Sequence, residues 1–128
     1  MEKIKPGRPS VRSITVRKGI NHHSVNFSQQ LAKEENLQPN DKVEITKVGK
    51  AFYICFSNVT GANIRVKLNG KAKVKSFVAS STKIVNNLLN YAAAEKVATF
   101  LIGRKKVVID GMIWYNILPS ISNRNSRF

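Results

Sequence analysis

The sequence predicts an α+β, mainly β domain: two similar strand-helix-strand-strand-strand halves packed as one pseudo-dimeric, barrel-like unit. Three observations predict it. Short apolar or alternating runs are separated by turn signals, only two segments carry helical spacing, and the order of elements repeats once along the chain. A chain of 128 residues has room for one core, or for two small halves that share one.

Residues 1–12 set Pro6, Gly7, Pro9 and Ser10 among Lys3, Lys5, Arg8 and Arg12, the composition of a flexible basic arm. The compact domain is expected over 13–118, in halves of about 13–69 and 70–118, with a tail over 119–128. Ile14–Arg17 reads as the first strand. The first helix is expected over about Ser28–Asn36, capped by Asn26 with Gln29 three residues on, and with Phe27 and Leu31 facing inward. Gln38-Pro39-Asn40-Asp41 is a turn, because Pro39 fixes φ and Asn and Asp tolerate tight geometry. Val43, Ile45 and Val48 mark a strand, Gly49-Lys50 a two-residue hairpin turn, and Ala51–Phe56 the return strand. Ile64–Leu68 then ends the first half.

Val74–Val78 opens the second half. A helix over Thr82–Ala94 follows, with Ser80, Ser81 and Thr82 as possible caps and an apolar face of Ile84, Val85, Leu88, Leu89 and Ala92. Strands are expected at Ala98–Ile102, Lys106–Ile109 and Met112–Ile117, the last two joined by Asp110-Gly111.

Charge is the main functional signal. Lysine and arginine number 22 against 7 acids, a net charge of +15. No acid occurs between Ile45 and Ala94, where Lys47, Lys50, Arg65, Lys67, Lys71, Lys73, Lys75 and Lys83 all fall. Such a field repels itself and attracts polyanions, because each phosphate neutralised releases condensed counterions. The expected partner is nucleic acid, double-stranded DNA first, bound by a transcriptional regulator or architectural protein. RNA or single-stranded DNA comes second. Docking on an acidic protein, as an inhibitor, antitoxin or virion component, comes third. A homodimer is compatible with all three.

The remaining chemistry narrows the class further. A single cysteine, Cys55, excludes an intrachain disulfide and suits a reducing compartment. No apolar run approaches the roughly 20 residues of a membrane helix. The expectation is a cytoplasmic protein of a bacterial cell, mobile element or virus, without a membrane partner. His22, His23 and Cys55 do not complete a zinc site. There is no nucleophile–base pairing and no phosphate-cradling glycine loop, so neither cofactor, metal nor catalysis is expected. Trp114 and Tyr115 lie on an alternating strand and are assigned to the core rather than to base stacking.

Two segments supply candidate contacts. In the hairpin at Asn69-Gly70, a three-residue loop with Gly70 left-handed pairs Val66 with Ala72 and Ile64 with Val74. Arg65, Lys67, Lys71, Lys73 and Lys75 then share the opposite face, where a phosphate backbone would relieve their repulsion. In the arm, Lys5-Pro6-Gly7-Arg8-Pro9 resembles the core of an AT-hook, with Pro6 where the first arginine belongs. This adds Lys5 and Arg8 as contacts in a minor groove.

Val25-Asn26-Phe27-Ser28, then Leu31, then Asn36-Leu37-Gln38-Pro39-Asn40-Asp41-Lys42-Val43-Glu44-Ile45 resembles the AbrB/MazE/SpoVT swapped-hairpin domain over about 20 residues. Pro39 and Asp41 match that family's turn. Ser28 stands in place of its proline, Asn40 in place of its glycine, and Glu35 in place of an apolar helix residue. The second half lacks the Pro-x-Asp turn. The resemblance implies two interleaved strand-helix-strand-strand units forming a barrel, with DNA contacted from the first strand and its loop. On this chain those positions are Arg12, Arg17 and Lys18, with His22 or His23.

Overall fold

Period-2 burial makes about half of the described residues strand. In the computed structural model, which describes residues 11–69 and 74–119, β1 (Ser13–Lys18) buries Ile14 and Val16, and β2 (His23–Phe27) buries Val25 and Phe27. A short helix α1 (Gln29–Glu34) leads to the hairpin of β3 (Lys42–Val48) and β4 (Ala51–Ser57). Next come β5 (Ala62–Asn69) and β6 (Val74–Ser80), then α2 (Thr82–Ala92), β7 (Val97–Ile102), β8 (Val107–Ile109) and β9 (Met112–Pro119). The mainly β, α+β expectation holds.

Local chemistry sets most boundaries. Ser28 caps α1, its hydroxyl accepting from the Leu31 amide at 3.1 Å, and Ser81 caps α2 by the same bond to Ile84 at 3.1 Å. Asn26 is therefore not the cap. It lies inside β2, a strand absent from the sequence reading, opposite Thr15 of β1 and Val78 of β6. The turn before β3 forms as expected: the Gln38 amide donates to the Asp41 carboxylate at 2.8 Å, and Asn40 takes φ +76°. Gly49-Lys50 and Asp110-Gly111 are both two-residue turns, closed by Val48 opposite Ala51 and by Ile109 opposite Met112.

The strands hydrogen-bond in the order β4-β3-β5-β6-β2-β1-β7-β9, and β9 returns to β4, closing an eight-stranded antiparallel barrel with β8 appended to β9. Ile14, Val16, Val25, Ile54, Ile64, Ala79, Val85, Leu88, Phe100 and Ile117 are fully buried in its core. The ladder is symmetric along the chain. The hairpin β1–β2 has its counterpart in β5–β6, α1 in α2, and β3–β4 in β7–β9. Element order alone matched β6 to β1 and began the second half near residue 70. The pairing matches β5 to β1.

Each half completes the other. β1 pairs with β7, β3 with β5, β2 with β6 and β4 with β9, so four ladders cross between the halves. Gly61 permits one of them: its φ is +120°, and a Cβ there would stand 2.4 Å from the Val43 carbonyl oxygen. Residues 1–58 expressed alone should therefore show no cooperative, monomeric fold by circular dichroism and sedimentation, because every strand would lose its partner from the other half. A stable monomeric fragment would refute the interleaving as a folding requirement.

Candidate nucleic-acid interface

Arg12 is not a contact residue. Its side chain is 5% exposed and its guanidinium binds Glu34 at 3.0 Å, Glu35 at 2.9 Å and the carbonyls of Ile102 at 3.2 Å and Gly103 at 2.9 Å. It also lies 4.9 Å from the centroid of the Tyr115 ring. A guanidinium with this many acceptors is a buried structural ion, removed from any partner. Glu35, the C-cap of α1, faces Arg12 instead of the core. Arg104 joins the cluster through Glu34 at 3.0 Å. Gln30, then Arg12, hold the Glu34 carboxyl below its usual range, while burial and then Glu35 push the Tyr115 phenol up.

The five-cation ribbon does not form as expected. β5 and β6 pair Ile64 with Ala79, Val66 with Phe77, Lys67 with Ser76 and Leu68 with Lys75, so the connection is residues 70–73 rather than a three-residue loop. Fixing this register is the rest of the barrel. Ala79 and Phe77 of β6 also pair with Val25 and Phe27 of β2 and must point to the core. Directly opposed residues share a face, so Arg65 and Lys67 point outward, while Lys75 belongs to the face of Phe77. Lys71 and Lys73, like Lys5 and Arg8, lie outside the described residues.

What the barrel does assemble is one outward face across five strands. Thr99 of β7, Thr15 of β1 and Asn26 of β2, all half-buried, Val78 of β6, buried, and Arg65 of β5, exposed, are successive partners in a single row on the side opposite the core. The adjacent row runs Val97, Arg17, Ser24 and Ser80. Lys67, opposite Ser76, extends the face on the other side. None of these five strands contains an acid. Arg65 donates to the Ser80 hydroxyl at 3.1 Å, and the hydroxyls of Thr15 and Thr99 are 3.0 Å apart. Strands stand about 4.8 Å apart, so Arg17 and Arg65, three strands from each other, are separated by roughly 14 Å across the sheet.

Arg17 is thus brought together with Arg65 and Lys67, while Arg12 and Lys75 are not. Lys18, at the end of the same hairpin, borders a groove with Gly19, Ile20, Glu95 and Lys96. His22 is exposed at that tip and His23 pairs with Lys18. Ser24 and Asn26 were missed because β2 was missed, though they alternate with Val25 and Phe27; Ser80 reads as a cap of α2 in the sequence but ends β6. Trp114 and Tyr115 are each 7% exposed, as expected of buried residues. Among the described residues, no three His, Cys, Asp or Glu side chains gather as metal ligands, and no helix is long and apolar enough to cross a membrane.

Replacing Arg12 by Ala should cost about 3 kcal/mol in urea unfolding, since it strips a buried cation from two carboxylates and two carbonyls. Because Glu34 titrates lower folded than unfolded, its stabilisation is present above the ordinary glutamate range and lost as pH falls through its folded pKa. The urea midpoint should thus drop more between pH 7 and pH 3 in the parent than in Glu34→Gln. Equal drops would show that Glu34 carries none of the acid sensitivity.

No protein-family model, no curated protein and no solved structure matches this chain.

Proposed function

We propose that this protein acts by binding, not catalysis, and that its ligand is double-stranded DNA held against the outward face of β7-β1-β2-β6-β5. The observation that carries the proposal is the acid-free sheet face that sets Arg17, Arg65 and Lys67 around Ser24, Asn26 and Ser80. Faces kept charged only for solubility mix both signs. This one combines cations with hydroxyl and amide groups, the side chains that bind phosphate oxygens and base edges. The face is also convex, as the outside of a barrel must be. The roughly 14 Å between Arg17 and Arg65 is comparable to the ~12 Å width of a major groove. Arginines at that spacing can reach phosphates on both sides of a groove, with Asn26 between them placed to meet a base edge.

The resemblance to the AbrB/MazE/SpoVT domain supports the same reading, because it implicates the first strand and its loop. On this chain it now rests on Arg17 and Lys18, with Arg12 removed. A transcriptional regulator or architectural protein in the cytoplasm is the role that such a face would serve.

The test is fluorescence anisotropy with duplex DNA at several salt concentrations. Arg17→Gln, Arg65→Gln and Lys67→Gln together leave Ile14, Val16, Ile64 and Val66 in place, so the fold should persist. If each cation holds one phosphate, the slope of log affinity against log salt should shallow by roughly 2.7, at about 0.9 per contact. A folded triple variant that binds duplex like the parent would refute the face. Tighter binding of single strands or RNA by the parent would refute the choice of duplex.

A further inference from the structure

A second concentration of charge lies away from this face, between α2 and the turn of the β3–β4 hairpin. Lys47, Lys50 and Lys83 border a cleft of about 460 Å³ together with Thr46, Asn87 and Asn90. All three lysines are exposed, and no residue lining the cleft is an acid. The apolar lining is already committed. The Phe52 ring lies 5.7 Å under the Lys47 ammonium, and Tyr91 stacks on Phe100 at 5.9 Å while donating to the Ile117 carbonyl. Glu44 borders an adjoining groove shared with Lys83, and its carboxylate accepts the Thr60 hydroxyl at 2.9 Å.

The internal symmetry provides a comparison within the same molecule. Counted from its cap Ser28, the sixth residue of α1 is Glu34; counted from Ser81, the sixth residue of α2 is Asn87. The second residues are Gln30 and Lys83. On α1 the carboxylate meets Arg12 and Arg104, and that end of the barrel neutralises itself. On α2 a carboxamide and an added lysine replace it, which leaves three cations around one cleft with no carboxylate among them. Clustered ammonium groups repel one another, and among the described residues only Lys47, over the Phe52 ring, has a contact that offsets this.

We propose that this cleft is an anion site for linked phosphates, as found in a polynucleotide backbone or a free polyphosphate. Lysine ammoniums are compact point charges with three donors each and suit a multiply charged tetrahedral oxyanion approached from several sides. Carboxylates fit the planar guanidinium better, and among the described residues it is arginine that pairs with Glu34 and Glu35. Asn87 and Asn90 can donate further hydrogen bonds to phosphate oxygens. None of the residues lining the cleft belongs to the sheet face.

Isothermal titration with inorganic tripolyphosphate at low salt tests the proposal. The parent should bind it, and Asn87→Glu, which restores the carboxylate of α1, should weaken binding at least tenfold without moving the urea midpoint. Lys50→Gln with Lys83→Gln should do the same, whereas Arg17→Gln with Lys67→Gln, on the sheet face, should leave it unchanged. Displacement of tripolyphosphate by oligothymidylate would support the site with a polynucleotide as its source, and failure to displace would support it with a free polyphosphate. A parent that does not bind tripolyphosphate, cleft variants that bind like the parent, or tighter binding of a glutamate oligopeptide would each overturn the proposal. Loss of duplex binding in the sheet-face variant is a separate readout, so either site can fail alone.

Discussion

Barrel closure between the two halves is the constraint on which everything else depends. Within one half, the outer edge of each hairpin faces no partner. β1 needs β7, β3 needs β5, and β4 needs β9. An unpaired edge leaves a row of amides and carbonyls open to other chains, so interleaving removes edges as well as burying the core. Among the described residues β8 keeps one side unpaired in the strand order, and it is three residues long. Two local features hold the closure in place. Gly61 lets β5 approach β3, and Arg12 fastens the entry of β1 to the exit of β7, its carbonyl accepting from the Ile102 amide at 2.9 Å while its side chain reaches Ile102 and Gly103.

Closure also decides where charge can go. A net charge of +15 in so small a domain opposes compaction, and few acids are present to offset it. Four of those acids are spent on structure. Glu34 and Glu35 hold Arg12 and Arg104, Asp41 closes a turn, and Glu44 binds Thr60. Cations elsewhere therefore meet few opposite charges. The outcome is an asymmetric molecule built from symmetric halves, with one helix end neutralised from within and the other bordered by three lysines. Symmetry of the fold does not impose symmetry of function, because the barrel needs only the apolar positions and the caps to repeat.

How far the sequence revealed this depends on how local each signal was. Turns fixed by two residues, such as Gly49-Lys50 and Asp110-Gly111, were legible, and so was the apolar face of α2. The β2 strand was not, because its five residues begin at the second of two histidines and run straight into a capping serine, so the segment reads as the approach to a helix. The β5–β6 register failed for a different reason. The alternation of Ile64 and Val66 with Arg65 and Lys67 is correct on β5, but only the pairing of β6 with β2 shows that Phe77 and Ala79 must face inward. Arg12 was misassigned on the same grounds. Nothing near it in sequence announces Glu34, Glu35 or the carbonyls of Ile102 and Gly103, which the fold brings from 22 to 91 residues away.

The proposed interface gains from lying on strands instead of loops. Its side chains project from a closed sheet whose register is fixed on both sides, so spacing between Arg17, Asn26 and Arg65 is set by backbone hydrogen bonds and not by loop conformation. Arg65 is held further by the Ser80 hydroxyl. Rigid placement lowers the entropy lost on binding, since fewer rotamers must be frozen when a phosphate arrives. It also limits what the face can do. Cations on a fixed lattice position a duplex through its phosphates, and sequence can be read only where a side chain able to pair with a base stands between them. Under the proposed function that place would fall to Asn26, which the row of partners from Thr99 to Arg65 sets at its centre.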